Sequence, residues 1–347
     1  MRILGIMSGS SLDGIDMASV VFDDSADWSL ESYTTIPIPN DLTEKLKRVV
    51  DMNAFEIAKV ESDYSHFLSR IINQYIKSHK LQIDYVSIHG HTVLHNVDIS
   101  TSWQLLNGGL VASLVNKKVV CDFRNGDMAL GGQGTPMAVI ADRDLFKGHD
   151  YYINLGGIAN VSYQKDGQCQ AYDICPCNQV SNYFANQLGK PYDANGQLAK
   201  QGEVREELVG KLLEEEYIKK PHPKSIDNTW IKQYWIPIME SYQLSAVDNL
   251  ATHHAFLVKL ISKLITVKGV NIFITGGGAK NKQFISDLQS ELLGRAEVIV
   301  PNDEIIDFKE SILMAYMAYL RVNETANFIH SASGAHRDVI GGCVYMS

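Results

Sequence analysis

The stretch RILGIMSGSSLDGIDMASVVF, residues 2–22, reads as a β-strand, a turn rich in glycine and serine, and a second β-strand. The stretch YYINLGGIANVSYQ, residues 151–164, repeats this plan with a shorter turn. A chain that carries the same hairpin twice is typical of a duplicated architecture. We therefore expect two related halves, each beginning with one of these hairpins.

Each hairpin is followed by a helical pattern and a further strand. Apolar residues recur at three- and four-residue steps between 64 and 76 and again between 256 and 265, the spacing of a helix that buries one face. Each helix leads to a short apolar strand with a polar turn, at 84–92 and 271–281. The pattern predicts an α/β fold of two lobes with a cleft between them, a common position for a small ligand.

Composition narrows the class of protein. The chain has 347 residues and a net charge of -9, and a general nucleic-acid binder should instead be basic. Its apolar runs are too short to cross a bilayer, and its start lacks the apolar core of a signal peptide. We therefore expect a cytoplasmic protein with neither a nucleic-acid nor a membrane partner. The odd number of cysteines, five, fits a reducing compartment.

Four turns combine glycine with polar residues: 5–16, 130–136, 154–160 and 275–281. Glycine lets the backbone approach a ligand closely, and concave arrays of N–H groups favour anions. In the first turn, Asp13 and Asp16 add carboxylates that could hold Mg²⁺ directly or through water. None of the turns is a Walker sequence or a dinucleotide fingerprint. Their distribution over both halves nevertheless favours nucleotide binding.

The first turn, GIMSGSSLDGID, resembles the amino-terminal loop of the anhydro-N-acetylmuramic acid kinases. These kinases belong to the sugar kinase and actin-like ATPase superfamily, so the resemblance implies two ribonuclease-H-like lobes. It covers nearly the whole chain. The matching segments continue in order with HGHTVLH (89–95), VVCDFRNGDMALGGQGTP (119–136), NLGGIANV (154–161), KPYDANGQLAKQG (190–202), TGGGAKN (275–281), FKESILMAYMAYL (308–320) and SGAHRDVIGG (333–342).

The resemblance also implies a reaction. The family uses ATP and water to open the 1,6-anhydro ring of anhydro-N-acetylmuramic acid and to phosphorylate O6, which gives N-acetylmuramic acid 6-phosphate for cell-wall recycling. ATP, Mg²⁺ and the sugar are then the small molecules bound, and a homodimer is one of the oligomeric states left open. The first lobe would comprise 1–137 with about 305–347, and the second about 138–304.

Candidate binding residues are carried over from the matching motifs. Those implied for ATP and its phosphates lie in the four-turn set, and Asp13 is also the Mg²⁺ candidate, through water or directly. Among those implied for the sugar, Gln133 lies in the turn 130–136 and the others lie in other segments. The nucleotide set is Gly9, Ser10, Ser11, Leu12, Asp13, Gly14, Ile15, Asp16, Gly156, Gly157, Gly276, Gly277, Gly278 and Asn281, and the sugar set is His91, Asp122, Arg124, Gln133 and Asn178.

The loop YDICPCNQVSNYF, residues 172–184, departs from the family pattern of D-T-G-P-G-N followed by a second aspartate. Cys175 and Cys177 replace the two glycines, and Asn182 stands where the family has its general-base aspartate. An amide can position water, but it does not accept a proton in the ordinary way. A second departure is Leu106, which replaces a glycine of the usual sugar-side motif.

Three consequences of the change at position 182 compete. Another carboxylate can act as the base, and Glu310, which matches a family glutamate, and Asp173 are the candidates. The enzyme can instead phosphorylate a related amino sugar whose own hydroxyl is the nucleophile. The chain can also be an inactive descendant that binds sugar or nucleotide as a sensor. The catalytic candidates are thus Glu310 and Asp173, with Asn182 orienting water or sugar.

The remaining reactive side chains have competing explanations. Cys175 and Cys177 are separated by one residue, which fits neither a C-x-x-C redox pair nor half of a zinc knuckle, so buried packing is the simplest interpretation. His89 and His91 can chelate a metal, contact substrate or serve structure. Arg124 either holds the lactyl carboxylate of the sugar bidentately or pairs with an acid such as Asp122.

Overall fold

The computed structural model describes residues 1–9, 12, 14–23, 27–222 and 224–347. The chain divides into two compact units, one of residues 1–145 with 308–347 and one of residues 146–307. Each unit combines a sheet with helices, so the predicted α/β class is confirmed.

The strands form one main sheet in each unit and one separate hairpin. The first unit's sheet has the order β13-β7-β4-β1-β2-β3, the second unit's sheet has the order β10-β9-β8-β11-β12, and β5 pairs with β6. The strands are β1 Arg2–Ser8, β2 Ile15–Phe22, β3 Trp28–Ile36, β4 Tyr85–Ile88, β5 His91–Asn96, β6 Thr101–Leu105, β7 Lys118–Cys121, β8 Tyr151–Leu155, β9 Ile158–Lys165, β10 Gln168–Pro176, β11 Val270–Thr275, β12 Ala296–Ile299 and β13 Cys343–Tyr345.

The two sheets repeat one topology. In the first, β1, β2 and β3 are antiparallel neighbours, and β1, β4 and β7 run parallel. In the second, β8, β9 and β10 are antiparallel neighbours, and β8, β11 and β12 run parallel. The duplicated plan read from the two hairpins is therefore present in the strand order as well as in the sequence.

Helices follow the sheets in both units, and short 3-10 turns join several of them. The helices are α1 Asn40–Arg48, α2 Ala54–His79, α3 Gly108–Val115, α4 Asn125–Ala129, α5 Ala138–Asp144, α6 Asn178–Gln187, α7 Glu206–Leu213, α8 Glu216–Lys219, α9 Asn228–Trp230, α10 Ile236–Glu240, α11 Ala246–Leu264, α12 Lys282–Glu291, α13 Asp303–Val322 and α14 His330–Ser333. A π-helix, Ile231–Trp235, lies between α9 and α10.

The two long amphipathic helices predicted from apolar spacing are α2 and α11. Helix α2 begins with a capping box, in which the Asn53 side chain accepts from the Glu56 N–H and the Glu56 side chain accepts from the Asn53 N–H. Helix α11 begins at Ser245, whose hydroxyl accepts from the Asp248 N–H. In the part of the chain that is described, no helix is both long and apolar enough to span a membrane.

Candidate functional site

A cavity of about 450 Å³ opens in the second unit. Its walls come from the 3-10 turn Gly277–Lys280, the start of α6, the segment 192–199, and one face each of α11 and α12. Asn178, Asn182, Gly277, Gly278 and Asn281 all line it. The structure thus brings together residues that the sequence assigned to nucleotide, to sugar and to catalysis.

The glycines of the TGGGAKN turn have different roles. Gly276 has a φ of +81°, and a Cβ there would lie 2.4 Å from Asn154 Oδ1, so this glycine lets the turn pass close to β8. A Cβ on Gly278 would lie 2.7 Å from the Cβ of Leu155. Gly277 is exposed, and a Cβ there would make an ordinary van der Waals contact with Asn178 Nδ2 at 3.8 Å. The backbone at Gly277 is therefore open to a ligand in the cavity.

Asn178 fastens the start of α6 to the turn after β8. Its Nδ2 donates to the Leu155 carbonyl at 2.8 Å, and its backbone N–H donates to the Gly156 carbonyl at 3.1 Å. The Cys177 N–H donates to the Gly157 carbonyl at 3.0 Å. Gly156 and Gly157 do not line the cavity; their carbonyls hold α6 in place.

His253 supports the same helix start from α11. Its Nε2–H donates to the Cys177 carbonyl at 3.2 Å, and burial lowers the pKa of the imidazole to about 4, which keeps it neutral. His253 is completely buried, and the bond to Cys177 gives its imidazole a partner 76 residues away.

The two cysteines of the 172–184 loop are buried free thiols. Burial raises the pKa of Cys177 to about 12 and that of Cys175 well above its ordinary value. Cys177 directly precedes α6, with a φ of -131° and a ψ of -108°. Among the described residues, no group of three His, Cys, Asp or Glu side chains is arranged to hold a metal.

Asp173 lies in β10 and is bonded to a distant segment of the chain. Its carboxylate accepts from the Ile226 N–H at 3.1 Å, and it does not line the cavity that Asn182 lines. Burial raises the pKa of Asp173, while the Ile226 N–H and the Lys224 ammonium lower it. Its contacts make Asp173 an anchor between β10 and the segment that follows α8.

Glu310, on α13 in the first unit, keeps solvent access although many protein atoms surround its carboxyl group. The pKa of Glu310 is raised, first by desolvation and second by the Asp16 carboxylate, while Lys309 and Arg124 oppose the rise. Asp16 itself accepts from the Thr35 hydroxyl at 2.6 Å. Two predicted site residues, Asp16 and Arg124, therefore each lie within electrostatic range of Glu310.

Arg124 is held by His89 rather than by an acid. Its Nε and Nη2 lie 3.1 and 2.9 Å from His89 Nε2, and its Nη1 donates to the Gly134 carbonyl at 3.3 Å. His89 Nδ1–H donates to the Gly90 carbonyl at 2.9 Å, so Nε2 is the free acceptor. Burial and Arg124 lower the pKa of His89 to about 3, and burial lowers that of Arg124 to about 10.

The other sugar-side candidates have structural partners. The Asp122 carboxylate accepts from Asn125 Nδ2 at 2.5 Å, so the alternative in which Asp122 pairs with Arg124 is wrong. His91 is buried, and this burial lowers the pKa of its imidazole. Gln133 has a half-buried side chain, and its N–H donates to the Ser333 carbonyl at 2.9 Å.

Asp127 shapes the GGQGTP turn. Its Oδ2 accepts from the Gly134 N–H at 2.8 Å, and its Oδ1 accepts from the Ser333 hydroxyl at 2.6 Å. A Cβ on Gly132 would lie 2.2 Å from Asp127 Oδ2, so only glycine fits beside this carboxylate. Asp127 is absent from the predicted site residues, because no local pattern shows that this acid also accepts a bond from Ser333, 206 residues away.

The amino-terminal turn is described in part. The Leu12 N–H donates to the Gly9 carbonyl at 3.2 Å, and the Leu12 side chain is buried in the core. Gly14 packs against Thr35, and Ile15 begins β2 and is buried. The predicted phosphate ligands Ser10, Ser11 and Asp13 lie outside the described residues.

Comparison with known proteins identifies the family to which this chain belongs. The family model for anhydro-N-acetylmuramic acid kinase matches residues 1–347. The chain belongs to the anhydro-N-acetylmuramic acid kinase family. Membership confirms the resemblance read from the motifs, and with it the prediction that the protein is a phosphotransferase of the carbohydrate kinase class.

Similar curated proteins cover most of the chain. An anhydro-N-acetylmuramic acid kinase from Paramagnetospirillum magneticum is 31% identical over 310 residues, covering 86% of both chains. One from Picosynechococcus is 30% identical over 378 residues, covering 99% of both. Among solved structures, a ROK family glucokinase from Streptomyces griseus has a TM-score of 0.43 and 13% identity, covering 91% of this chain and 99% of that one. The family assignment therefore rests on sequence.

Proposed function

We propose that the protein opens the 1,6-anhydro ring of anhydro-N-acetylmuramic acid with water and phosphorylates O6 with ATP. The water oxygen bonds to C1, the C1–O6 bond breaks, and O6 receives the γ-phosphoryl group. The products are N-acetylmuramic acid 6-phosphate and ADP, and the proton from water passes to a base. The observation that carries the residue assignment is the grouping of Glu310, Asp16 and Arg124 in the first unit.

Glu310 is the general base of this proposal. A base works best when its pKa approaches the operating pH, and desolvation with the neighbouring Asp16 carboxylate raises the pKa of Glu310. Asp173 is less suited, because its carboxylate already accepts the Ile226 N–H. Asn182, half-buried in the wall of the cavity, orients water or sugar through its amide.

Arg124 binds the carboxylate of the sugar. A guanidinium has five N–H donors, and the bonds to His89 and to the Gly134 carbonyl use one on each nitrogen. One N–H on each terminal nitrogen is left, and that pair matches the two oxygens of a lactyl carboxylate. Gln133, Asp122, His91 and Asn178 complete the proposed sugar side through the loops that they shape.

The nucleotide occupies the cavity of the second unit. The open backbone at Gly277 suits the approach of a ribose or phosphate, and Leu250, Leu257 and Phe284 give an apolar end for a base. Gly276 and Asn281 position this turn, since Asn281 Oδ1 caps α12 by accepting from the Phe284 N–H at 3.1 Å.

The phosphates are assigned to the loop 9–16 of the first unit, and the turn at Gly156 and Gly157 is the second phosphate candidate. Magnesium would supply positive charge to the phosphates, and the carboxylate of Asp13 has the oxygen chemistry that Mg²⁺ prefers. The first lobe, 1–137 with about 305–347, thus carries the loop 9–16 and most of the proposed sugar residues. The second lobe, about 138–304, carries the adenosine turn, the turn at Gly156 and Gly157, and the residues Asn178 and Asn182. A cytoplasmic location is part of the same proposal.

The test incubates the purified chain with anhydro-N-acetylmuramic acid, ATP and Mg²⁺ and measures the 6-phosphate. Product that requires both substrates supports the proposal. Binding of either ligand without product, at high enzyme concentration, favours a sensor and contradicts it. Turnover of a non-anhydro amino sugar alone contradicts it as well and assigns a different acceptor.

A further inference from the structure

His254 stands out among the acidic, basic and histidine side chains that line the nucleotide cavity. The Asp193 carboxylate accepts from the Leu198 and Ala199 N–H groups at 2.7 and 3.0 Å, and Lys280 pairs with Asp307 at 2.6 Å. Those groups are occupied within the protein. His254 has one ring nitrogen bonded and no function in the reaction proposed above.

Asp287 fixes the tautomer of His254. His254 Nε2 lies 2.8 Å from Asp287 Oδ2, so Nε2 carries the hydrogen. Gln283 Nε2 donates to the other oxygen of the same carboxylate at 2.9 Å. In the neutral imidazole, Nδ1 is then a hydrogen-bond acceptor, and among the described residues it has no donor partner.

The surroundings of His254 suit a flat heterocycle. Leu250 and Leu257 line the cavity from the same helix, α11, and Phe284 lines it from α12. The Phe284 ring meets the imidazole edge to face at 5.4 Å between centroids, which restrains the imidazole plane. An apolar wall with one fixed acceptor discriminates between ligands by whether they bring a donor.

We propose that His254 selects the nucleotide base, with Nδ1 accepting a hydrogen bond from the exocyclic amine of adenine and Asp287 as the positioning residue. Guanine carries a carbonyl oxygen where adenine carries that amine, so an acceptor would face an acceptor. This inference rests on the nucleotide assignment of the cavity made above. The inference assigns base selection to a side chain, whereas the glycine turns offer only backbone groups to the nucleotide.

The experiment measures binding of ATP and of GTP to the full chain with Mg²⁺ by calorimetric titration. The unchanged protein should bind ATP at least about tenfold more tightly than GTP, the size of one hydrogen bond gained or lost. His254→Phe should bring the ratio of the two Kd values close to one by weakening ATP alone. Asp287→Ala, at a side chain 41% exposed, should reduce the ratio without touching the nucleotide.

Gln283→Ala is the matched control, because it removes a bond to the same carboxylate without changing the imidazole. It should keep the preference for ATP, as should His254→Gln, whose amide can donate to Asp287 and still accept. Equal binding of ATP and GTP by the unchanged protein would overturn the inference and leave the proposed function standing. An unchanged ratio in both His254→Phe and Asp287→Ala would overturn it as well. Binding of neither nucleotide would contradict the proposed function itself.

Discussion

Asn182 lines the cavity of the second unit with an amide, where the family pattern has a carboxylate. Asn182→Asp restores a proton acceptor at this position, so the single-turnover rate of product formation should rise about tenfold. Asn182→Ser, which removes the amide and adds no base, is the control and should lower the rate. An equal rate in Asn182→Asp and the unchanged protein would show that position 182 no longer takes part in the proton transfer.

His89 is predicted to act through Arg124. His89→Ala removes the acceptor for two guanidinium N–H groups, so the KM for the sugar should rise about tenfold while the KM for ATP stays constant. His89→Gln offers an amide oxygen to the same donors and should recover part of the loss. Steady-state kinetics with each substrate varied give the comparison, and a parallel rise in both KM values would indicate a structural role only.

At the scale of elements, the strand β13 carries the exposed cysteine. Cys121, Cys169, Cys175 and Cys177 are buried, and burial raises the pKa of Cys121 and of Cys177 to about 12. Alkylation of the native protein should therefore modify Cys343 alone, as mass spectrometry would show. Cys343→Ser should remove the native label, and rapid labelling at position 175 or 177 would contradict the described burial.

Backbone contact between β1 and α13 depends on a glycine. A Cβ on Gly5 would lie 1.9 Å from the Ser311 carbonyl oxygen, so Gly5→Ala should lower the free energy of unfolding by about 1–3 kcal/mol. Gly210, in α7, has no atom within 4 Å of its Cβ position, so Gly210→Ala should stabilise by about 0.5–1 kcal/mol. Denaturant unfolding measures both, and equal effects of one sign would contradict the packing.

Local patterns predicted some elements well and others not at all. The hairpins at 2–22 and 151–164 and the helices α2 and α11 follow from short-range alternation and apolar spacing. The roles of Asp127, His253 and His254 do not follow from such patterns. Each of these side chains has a hydrogen-bond partner between 33 and 206 residues away. A single sequence carries no local signal for such pairs.

At the scale of the whole molecule, the repeated strand order could be expected from the repeated hairpins, whereas the shared position of Asn178, Asn182, Gly277 and Asn281 could not. The motifs assigned Asn178 and Asn182 to the sugar and to catalysis and the glycine turn to the nucleotide. These residues line one cavity because α6 begins beside the turn after β8. There Asn178 donates a hydrogen bond to the Leu155 carbonyl. Such a junction requires the tertiary fold.

The pH dependence of the whole reaction follows from Glu310. Its pKa is raised above 4.5, the ordinary value for glutamate, and the base form exists only above that raised pKa. Hence kcat/KM should fall as the pH falls through a limb that lies above pH 4.5. A pH profile of kcat/KM for the sugar gives the measurement, and an acid limb at or below the ordinary glutamate pKa would argue against Glu310.

The most direct test of the account is the single-turnover rate of 6-phosphate formation by Glu310→Gln. Loss of a general base should lower this rate by about 10²- to 10⁴-fold, with binding of sugar and ATP retained. Glu207→Gln, on the exposed surface of α7, should leave it unchanged. A rate for Glu310→Gln equal to that of the unchanged protein would show that another group deprotonates the water.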